Sequence, residues 1–481
     1  MASFTRVLVA NRGEIALRII RACHEEGLES VAVYSDADRL SPHVRAAHRA
    51  VPIGAPPAAE SYLDVAKLLE AARATDCQAV HIGPPATAIR AMGDKTEARR
   101  RMQAAGVPIV PGTTRPVADH VQAKSEAGRL GLPVLLKAIA GGGGKGMRLI
   151  REEGELESAF ETAQSEALKA FGAGELYVEK YLERPRHIEV QVLADTYGRV
   201  VALGERECSI QRRHQKLIEE APSVAVTPAL RRRLSEAATA AAGSVGYLGA
   251  GTIEFLLAPT GEFYFLEMNT RLQVEHPVTE LVYGVDIVRE QLRVAQGQPL
   301  RVHSGALQPR GHAIECRITA EDPFNDFLPA TGVIRHLQPP SGPGVRWDAG
   351  VEAGNEVTLF YDPLLAKLIV WGDTRATALQ RMRRALRELV IVGLPSSQSF
   401  HLRVMADPEF QRGDVDVTYF ERVGQRLLAA DLAPELAQPL AIAAALLAEQ
   451  QRAEATPPPA APAPDGPSPW LLAARRESIG G

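Results

Sequence analysis

The sequence predicts a mixed α/β and α+β protein: an N-terminal doubly wound parallel sheet, a central strand-rich domain with a glycine-rich loop, and a C-terminal antiparallel β domain with a packed helix. Three observations lead there. Residues 5–10 and 30–34 are short apolar runs flanking an amphipathic stretch with Ile15, Ile19, Ile20 and Cys23 at helical spacing, the pattern of strand, helix and parallel strand. From Gly311 to Tyr419 short strands and turns take over, with one amphipathic helix over 374–389, as in a separate antiparallel domain. Between these regions, Glu267-Met-Asn-Thr-Arg-Leu-Gln-Val-Glu275 has a polar or charged residue at every odd position, the period of an extended strand.

At 481 residues the chain has room for about two to four domains, and a net charge of −4 lacks the basic excess of a nucleic-acid or membrane binder. Cys23, Cys77, Cys208 and Cys316 are far apart and form no CxxC pair, which argues against disulfides and structural zinc. No stretch has signal-peptide architecture or the length of a membrane span, so the cytoplasm is the expected compartment.

In chain order, Asn11-Arg-Gly-Glu14 has one glycine where a dinucleotide fingerprint needs three, so no NAD site is expected. A helix over 61–75 and a strand over 78–81 run directly into Ile82-Gly-Pro-Pro85, and a helix over 86–92 delivers Gly93-Asp-Lys95. The strand Pro133-Val-Leu-Leu-Lys137-Ala138 is joined to a strand over 147–150 by Ala140-Gly-Gly-Gly-Gly-Lys145-Gly146. Glycines let backbone N–H groups close over phosphates, although the same run also suits a flexible hairpin; without Ser or Thr after Lys145 it is no Walker loop. Lys95 and Lys137 are candidates to balance phosphate charge. The strand over 176–182 has an unpaired-looking exit suited to a purine. His187-Ile-Glu-Val-Gln-Val192 puts His187, Glu189 and Gln191 on one face and reads by itself as half-solvated. The basic segment 207–216 is either a solvated charge run or an anion site. Helices are expected over 228–243, 279–296 and 439–454, the last followed by a proline-rich spacer and Ser468-Pro-Trp-Leu-Leu472.

Residues 252–257 and 262–267 read as a hairpin around Ala258-Pro-Thr-Gly261. Pairing Leu257 with Glu262 sets Glu254 opposite Phe265, diagonal to Glu267 on the same face. If 267–275 stays extended, Glu267, Asn269, Arg271, Gln273 and Glu275 share one face while Met268, Leu272 and Val274 pack. Two carboxylates this close require a proton or a cation between them. With Asn269 the set is all oxygen, which favours Mg²⁺ or Mn²⁺ over Zn²⁺.

Several of these segments resemble one family. Asn11-Arg-Gly-Glu-Ile-Ala16, Met92-Gly-Asp-Lys95, Gly141-Gly-Gly-Gly-Lys-Gly-Met147, Val178-Glu-Lys-Tyr-Leu182, Arg186-His-Ile-Glu-Val-Gln-Val192, Cys208-Ser-Ile-Gln-Arg-Arg-His-Gln-Lys216 and Glu267-Met-Asn-Thr-Arg-Leu-Gln-Val-Glu-His-Pro277 closely resemble the biotin carboxylases of the ATP-grasp superfamily, over residues 4–420. The resemblance implies a shortened N-terminal domain over 1–93, an ATP-grasp domain over 94–307 with a lid over 109–181, a C-terminal domain over 308–425, and a helix with a proline-rich tail over 426–481. It implies an ATP-dependent ligase that carboxylates biotin with bicarbonate, via carboxyphosphate, as the first half-reaction of an acyl-CoA carboxylase. By position it puts Lys95, Lys137, Gly143, Gly144 and His187 at the phosphates and nucleotide, Glu179, Lys180 and Leu182 at the adenine, and Gln211 and His214 near the ribose. Glu254, Glu267 and Asn269 hold Mg²⁺ or Mn²⁺, with Glu254 and Glu267 thereby binding ATP. Lys216, Arg271, Gln273 and Val274 form the bicarbonate pocket, Glu275 is the general base, and Arg346 meets biotin.

The sequence departs from the family after His81, where a His-Pro-Gly-Tyr-Gly-Phe-Leu-Ser-Glu-Asn loop, a helix and a strand are missing. That loss is expected to uncover apolar faces, and it keeps a nucleotide-binding homologue without turnover, or another ATP-grasp ligase, as alternatives. No Ala-Met-Lys-Met segment occurs, so the expected partners are a separate biotin carboxyl carrier protein and carboxyltransferase subunits, with the chain itself a homodimer. The tail with Trp470 resembles the start of the region that follows this module in larger acyl-CoA carboxylase α subunits.

Overall fold

The computed structural model describes residues 4–81, 86–93, 95–139, 146–302, 307–429, 442, 445–450 and 452. The chain divides into two compact units, 1–428 and 429–481; the described residues of the second beyond 429 are helical. Half of the helix expected over 439–454, and Trp470, lie outside the described residues.

The first unit opens with a parallel sheet of β1 (Arg6–Val9), β2 (Glu29–Ser35), β3 (Arg49–Gly54) and β4 (Ala79–His81), in the order β3-β2-β1-β4. The helix Gly13–Glu25 buries Ile19, Ile20 and Cys23 against Val7, Val9 and Ala32, and shares that core with Val288 and Leu292. The helix expected over 61–75 starts later, at Val65, because Asp64 caps it by accepting from the N–H groups of Ala66 and Lys67. Val65 and Leu69 on that helix are 66% and 46% exposed, apolar surface left open.

A small antiparallel sheet follows, built from β5 (Val134–Ala138), β6 (Met147–Ile150) and β7 (Leu176–Lys180) in the order β6-β5-β7. Leu136, Ile150 and Val178 pack with Phe160 and Ala163 of the helix Leu156–Phe171.

The main sheet contains β8 (Arg186–Ala194), β9 (Val200–Arg212), β10 (Gln215–Ala221), β11 (Gly249–Leu257), β12 (Phe263–Asn269), β13 (His312–Thr319), β14 (Val345–Ala349) and β15 (Leu364–Gly372). Its eight strands run antiparallel in the order β12-β11-β8-β9-β10-β13-β15-β14. The C-terminal strands are antiparallel with the helix Arg375–Glu388 packed on them, as expected; β13 pairs with the free edge of β10, so that with β14 and β15 it continues the central sheet, while the shorter strands pair two by two. The single helix expected over 279–296 is two, His276–Tyr283 and Ile287–Ala295. Gly284 ends the first in the left-handed conformation at φ 66°, and Asp286 caps the second.

Gly350, just past β14, lies against the start of the helix Gly13–Glu25: a Cβ there would be 2.6 Å from the Glu14 nitrogen and 2.8 Å from the Gly13 Cα. Gly350→Ala should therefore destabilise the first unit by about 1–3 kcal/mol, read as a lowered Tm in calorimetry. An unchanged Tm would show that the two segments part at no cost.

Candidate active site

The hairpin of β11 and β12 forms, but in a different register from the one expected. Leu257 pairs with Phe263, and a bulge between Glu254 and Phe255 shifts the pairing again, so Glu254 lies directly opposite Glu267 instead of opposite Phe265. Glu254 is also paired with Glu189 on β8, and Glu189 with Arg206 on β9. One row across four strands thus reads Glu267, Glu254, Glu189, Arg206. The face expected to be half-solvated on β8 is covered: Glu189 and Gln191 are fully buried, because another layer packs over it.

β12 ends at Asn269, so 267–275 does not form a single extended face. The chain turns, and Glu275 sits at the start of the helix His276–Tyr283, which Pro277 initiates. Gln273 and Glu275 are buried and Arg271 is exposed, its Nη1 reaching only the Leu272 carbonyl at 3.4 Å. Val274 is half-buried and its carbonyl accepts from Lys367 Nζ at 2.9 Å.

Two cations serve this acidic row. Lys216 Nζ donates to Glu189 at 2.5 Å, to Glu275 at 2.7 Å and to Glu254 at 2.8 Å. Arg206, fully buried, donates to Glu189, to Gln191 at 2.8 Å, to Thr279 and Gln273 at 2.9 Å and to Thr252 at 3.1 Å. Burial by itself would raise the Glu275 pKa, yet Lys216, Arg317 and Arg206 outweigh it and hold the carboxyl well below its usual range. Glu254 is likewise raised by burial and brought down further by His187 and Lys216. Burial works against the Lys216 ammonium, but Glu189, Glu275 and Glu254 keep it charged.

The residues expected to hold a divalent ion converge. Asn269 Nδ2 lies 2.9 Å from Glu254 and 3.4 Å from Glu267; rotation of the amide would present its oxygen instead. Lys216, Arg206 and Arg317 share Glu189, Glu254 and Glu275, whereas Glu267 is in no ion pair among the described residues. His187 Nε2, 3.0 Å from Glu254, is pushed toward its charged form by that carboxylate despite burial. The donor set fits a hard divalent ion held by Glu254, Glu267 and Asn269.

The other expected residues fall into three groups. Lys137 Nζ is held by Glu179 at 2.7 Å, and Glu179 also takes Arg99, so the Glu179 side chain is engaged by two cations. Lys180 Nζ bonds the carbonyls of Gly131 and Leu132, the edge of β7 is paired through Tyr181, and Leu182 is the first residue past it. Gln211 bonds His187 Nδ1 at 2.8 Å, whereas His214 is exposed in the β9–β10 turn. Gly143, Gly144 and the Lys95 side chain lie outside the described residues.

Arg346 is held apart from Glu275. Its guanidinium is held by Glu280 at 2.7 Å and by Asp348 at 2.7 Å. The guanidinium that reaches Glu275 is Arg317, 2.9 Å away and also bonded to Glu219 at 2.7 Å. Sequence reasoning passed over Arg317, Arg206 and Glu219; the signal available was alternation, which puts Glu315 and Arg317 on one face of β13. Lys367 lies 2.9 Å from Glu14, so the Asn-Arg-Gly-Glu turn also braces the loop at Val274.

An acidic row on an antiparallel sheet, beside a small sheet presenting a buried lysine, is the architecture of a nucleotide-dependent ligase. Residues 3–90, 94–303 and 315–422 match the families described as biotin carboxylase N-terminal domain, carbamoyl-phosphate synthase L chain ATP binding domain, and biotin carboxylase C-terminal domain. The chain is 51% identical over 445 residues to a biotin carboxylase of Nostoc, a match that covers 88% of this chain and 100% of that protein. It is 47% identical over 441 residues to the biotin carboxylase of Haemophilus influenzae, covering 87% of this chain and 98% of that one. Among solved structures it is similar to the biotin carboxylase domain dimer of Hydrogenobacter thermophilus 2-oxoglutarate carboxylase, a complex with MgADP, ADP and bicarbonate, at TM-score 0.86 and 43% identity over 90% of this chain and 100% of that one. The chain belongs to the biotin carboxylase family.

Carboxylates whose pKa lies below the ordinary 4.5 stabilise the fold above that pH and lose the effect as pH falls through the folded value. Lys216→Met should therefore cost about 3–5 kcal/mol at neutral pH. The Tm gap to the wild type should narrow as the medium is acidified. A gap independent of pH would mean that Lys216 does not stabilise these carboxylates.

Proposed function

We propose that the chain is an ATP-dependent ligase that carboxylates biotin, using bicarbonate, on a separate carrier protein. The single observation that carries this reading is the Lys216 ammonium, which binds the expected base Glu275 and the expected metal ligand Glu254 at once. Base and nucleotide site are thereby one electrostatic unit.

Bicarbonate is a weak nucleophile toward phosphorus, and biotin's N1′ is a weak nucleophile toward carbon, so both need activation. Glu275 takes the bicarbonate proton; the resulting oxyanion attacks the ATP γ-phosphorus, and ADP leaves with the bridging oxygen's electron pair. Carboxyphosphate then splits into CO₂ and phosphate, the phosphate accepts the N1′ proton, and N1′ bonds the CO₂ carbon. A divalent ion on Glu254, Glu267 and Asn269 supplies charge neutralisation at the phosphates. Lys137 and His187 face those phosphates, Arg271 offers bicarbonate a two-pronged donor, and Gln273 with the Val274 backbone completes its pocket. Charge developing on biotin's ureido oxygen falls to Arg346, held in place by Glu280 and Asp348, while Arg317 holds Glu275. The carrier and carboxyltransferase subunits are partners, a homodimer is the assembly, and the cytoplasm supplies MgATP. Among the described residues no helix is long and apolar enough to cross a membrane.

The test is ADP release with free biotin, with and without bicarbonate. Release that depends on both supports the reading; MgATP binding without carboxybiotin overturns it in favour of a nucleotide-binding homologue. Arg271→Ala should lower kcat/KM by about 100-fold or more while MgATP affinity in calorimetry changes little. Unchanged carboxylation removes Arg271 from the pocket. Glu267→Gln should raise the Mg²⁺ concentration for half-maximal activity about tenfold or more, and an unaltered Mg²⁺ titration refutes the metal assignment.

A further inference from the structure

Beneath the helix that starts at Glu275, two buried carboxylates face each other. Glu219 on β10 and Glu315 on β13 are direct partners in the register, and both are fully buried. One oxygen of Glu219 accepts from Arg317; its other oxygen and both oxygens of Glu315 meet no hydrogen-bond partner among the described residues. Two ionised carboxylates opposed in a dry layer repel each other and carry the desolvation cost of both charges, so the pair keeps a proton.

The partners decide which carboxyl holds it. Glu219 has the Arg317 guanidinium, whereas the cations bordering Glu315 are already engaged. Arg317 bonds Glu219 and Glu275, and Lys367 Nζ lies 2.9 Å from Glu14 and 2.9 Å from the Val274 carbonyl. Lys216 is taken by its three carboxylates. From the helix above, Glu275 adds negative charge, Glu280 is paired with Arg18 and Arg346, and His276 is kept neutral by burial and nearby cations.

We propose that Glu315 is a neutral carboxylic acid in the working enzyme and a positioning residue for the bicarbonate loop, because its protonation denies Arg317 and Lys367 a competing anion. This rests on the role given above to residues 271–275. Arg317 and Lys367 are partners in the β13–β15 register, and Glu315 is the next residue on their face of β13. Arg317 holds Glu275 and Lys367 holds Val274, so the loop carrying the base is tied at both residues by cations that an ionised Glu315 would attract. Burial pushes the Glu315 carboxyl well up against the pull of Lys367, and Glu219 is pushed up to about 7, chiefly by burial. A raised carboxyl pKa stabilises the fold at low pH and loses that effect as pH rises through the folded value, so changes are expected on the alkaline side.

Infrared spectra of the full chain at about pH 8, above the value to which Glu219 is pushed, test the assignment. The wild type should show a protonated-carboxyl band that Glu315→Gln lacks. Glu315→Gln, which keeps the shape of the neutral acid, should hold kcat within about twofold near neutrality. Its KM for bicarbonate should stay flat as the pH is raised on the alkaline side, whereas that of the wild type should rise about tenfold once Glu315 is ionised. A wild type without the band overturns the proposal even if the variant fails to fold, as does a KM profile identical in both proteins. The band is read without turnover, so loss of the carboxylase reading itself is told apart.

Discussion

A buried ammonium shared among three carboxylates is the constraint on which the rest of this structure depends. Lys216 reaches Glu189 on β8, Glu254 on β11 and Glu275 at a helix start, so three elements distant in sequence must meet at one point. Desolvating four charges is costly, and only complete hydrogen bonding makes the cluster tolerable. Arg206 supplies the rest by bonding five side chains. The strand order β12-β11-β8-β9-β10 lays Glu267, Glu254, Glu189 and Arg206 in one row, and Lys216, opposite Gln211 on β9, reaches that row through its side chain.

The N-terminal and C-terminal parts brace this row from outside. Glu14 reaches Val274 through Lys367, and Arg18 pairs with Glu280 on the helix that follows the base. The Asn-Arg-Gly-Glu turn therefore braces the site through Lys367. Gly350 allows the close approach that brings these segments together.

Several elements were legible from local pattern. The apolar stripe of Ile19, Ile20 and Cys23 became a buried helix face, and the hairpin of β11 and β12 was found with its acids in reach of each other. The register was not, since a bulge at Glu254 obeys packing between strands and leaves no mark in the alternation. The polar face of β8 reads as half-solvated because alternation tells which residues share a face, never what covers it. Arg346 and Arg317 are both arginines on C-terminal strands; only the fold shows that Glu280 and Asp348 hold the first and that the second reaches Glu275.

The sequence by itself determined the kinds of groups present, their period along each strand, and the all-oxygen character of the metal set, because these depend on residue type and on backbone geometry within a few residues. Tertiary structure decided which carboxylate faces which, where protons and cations rest, and which arginine meets the base. Those outcomes rest on electrostatic interactions between strands far apart in the chain, in a layer dry enough for a single misplaced charge to be costly.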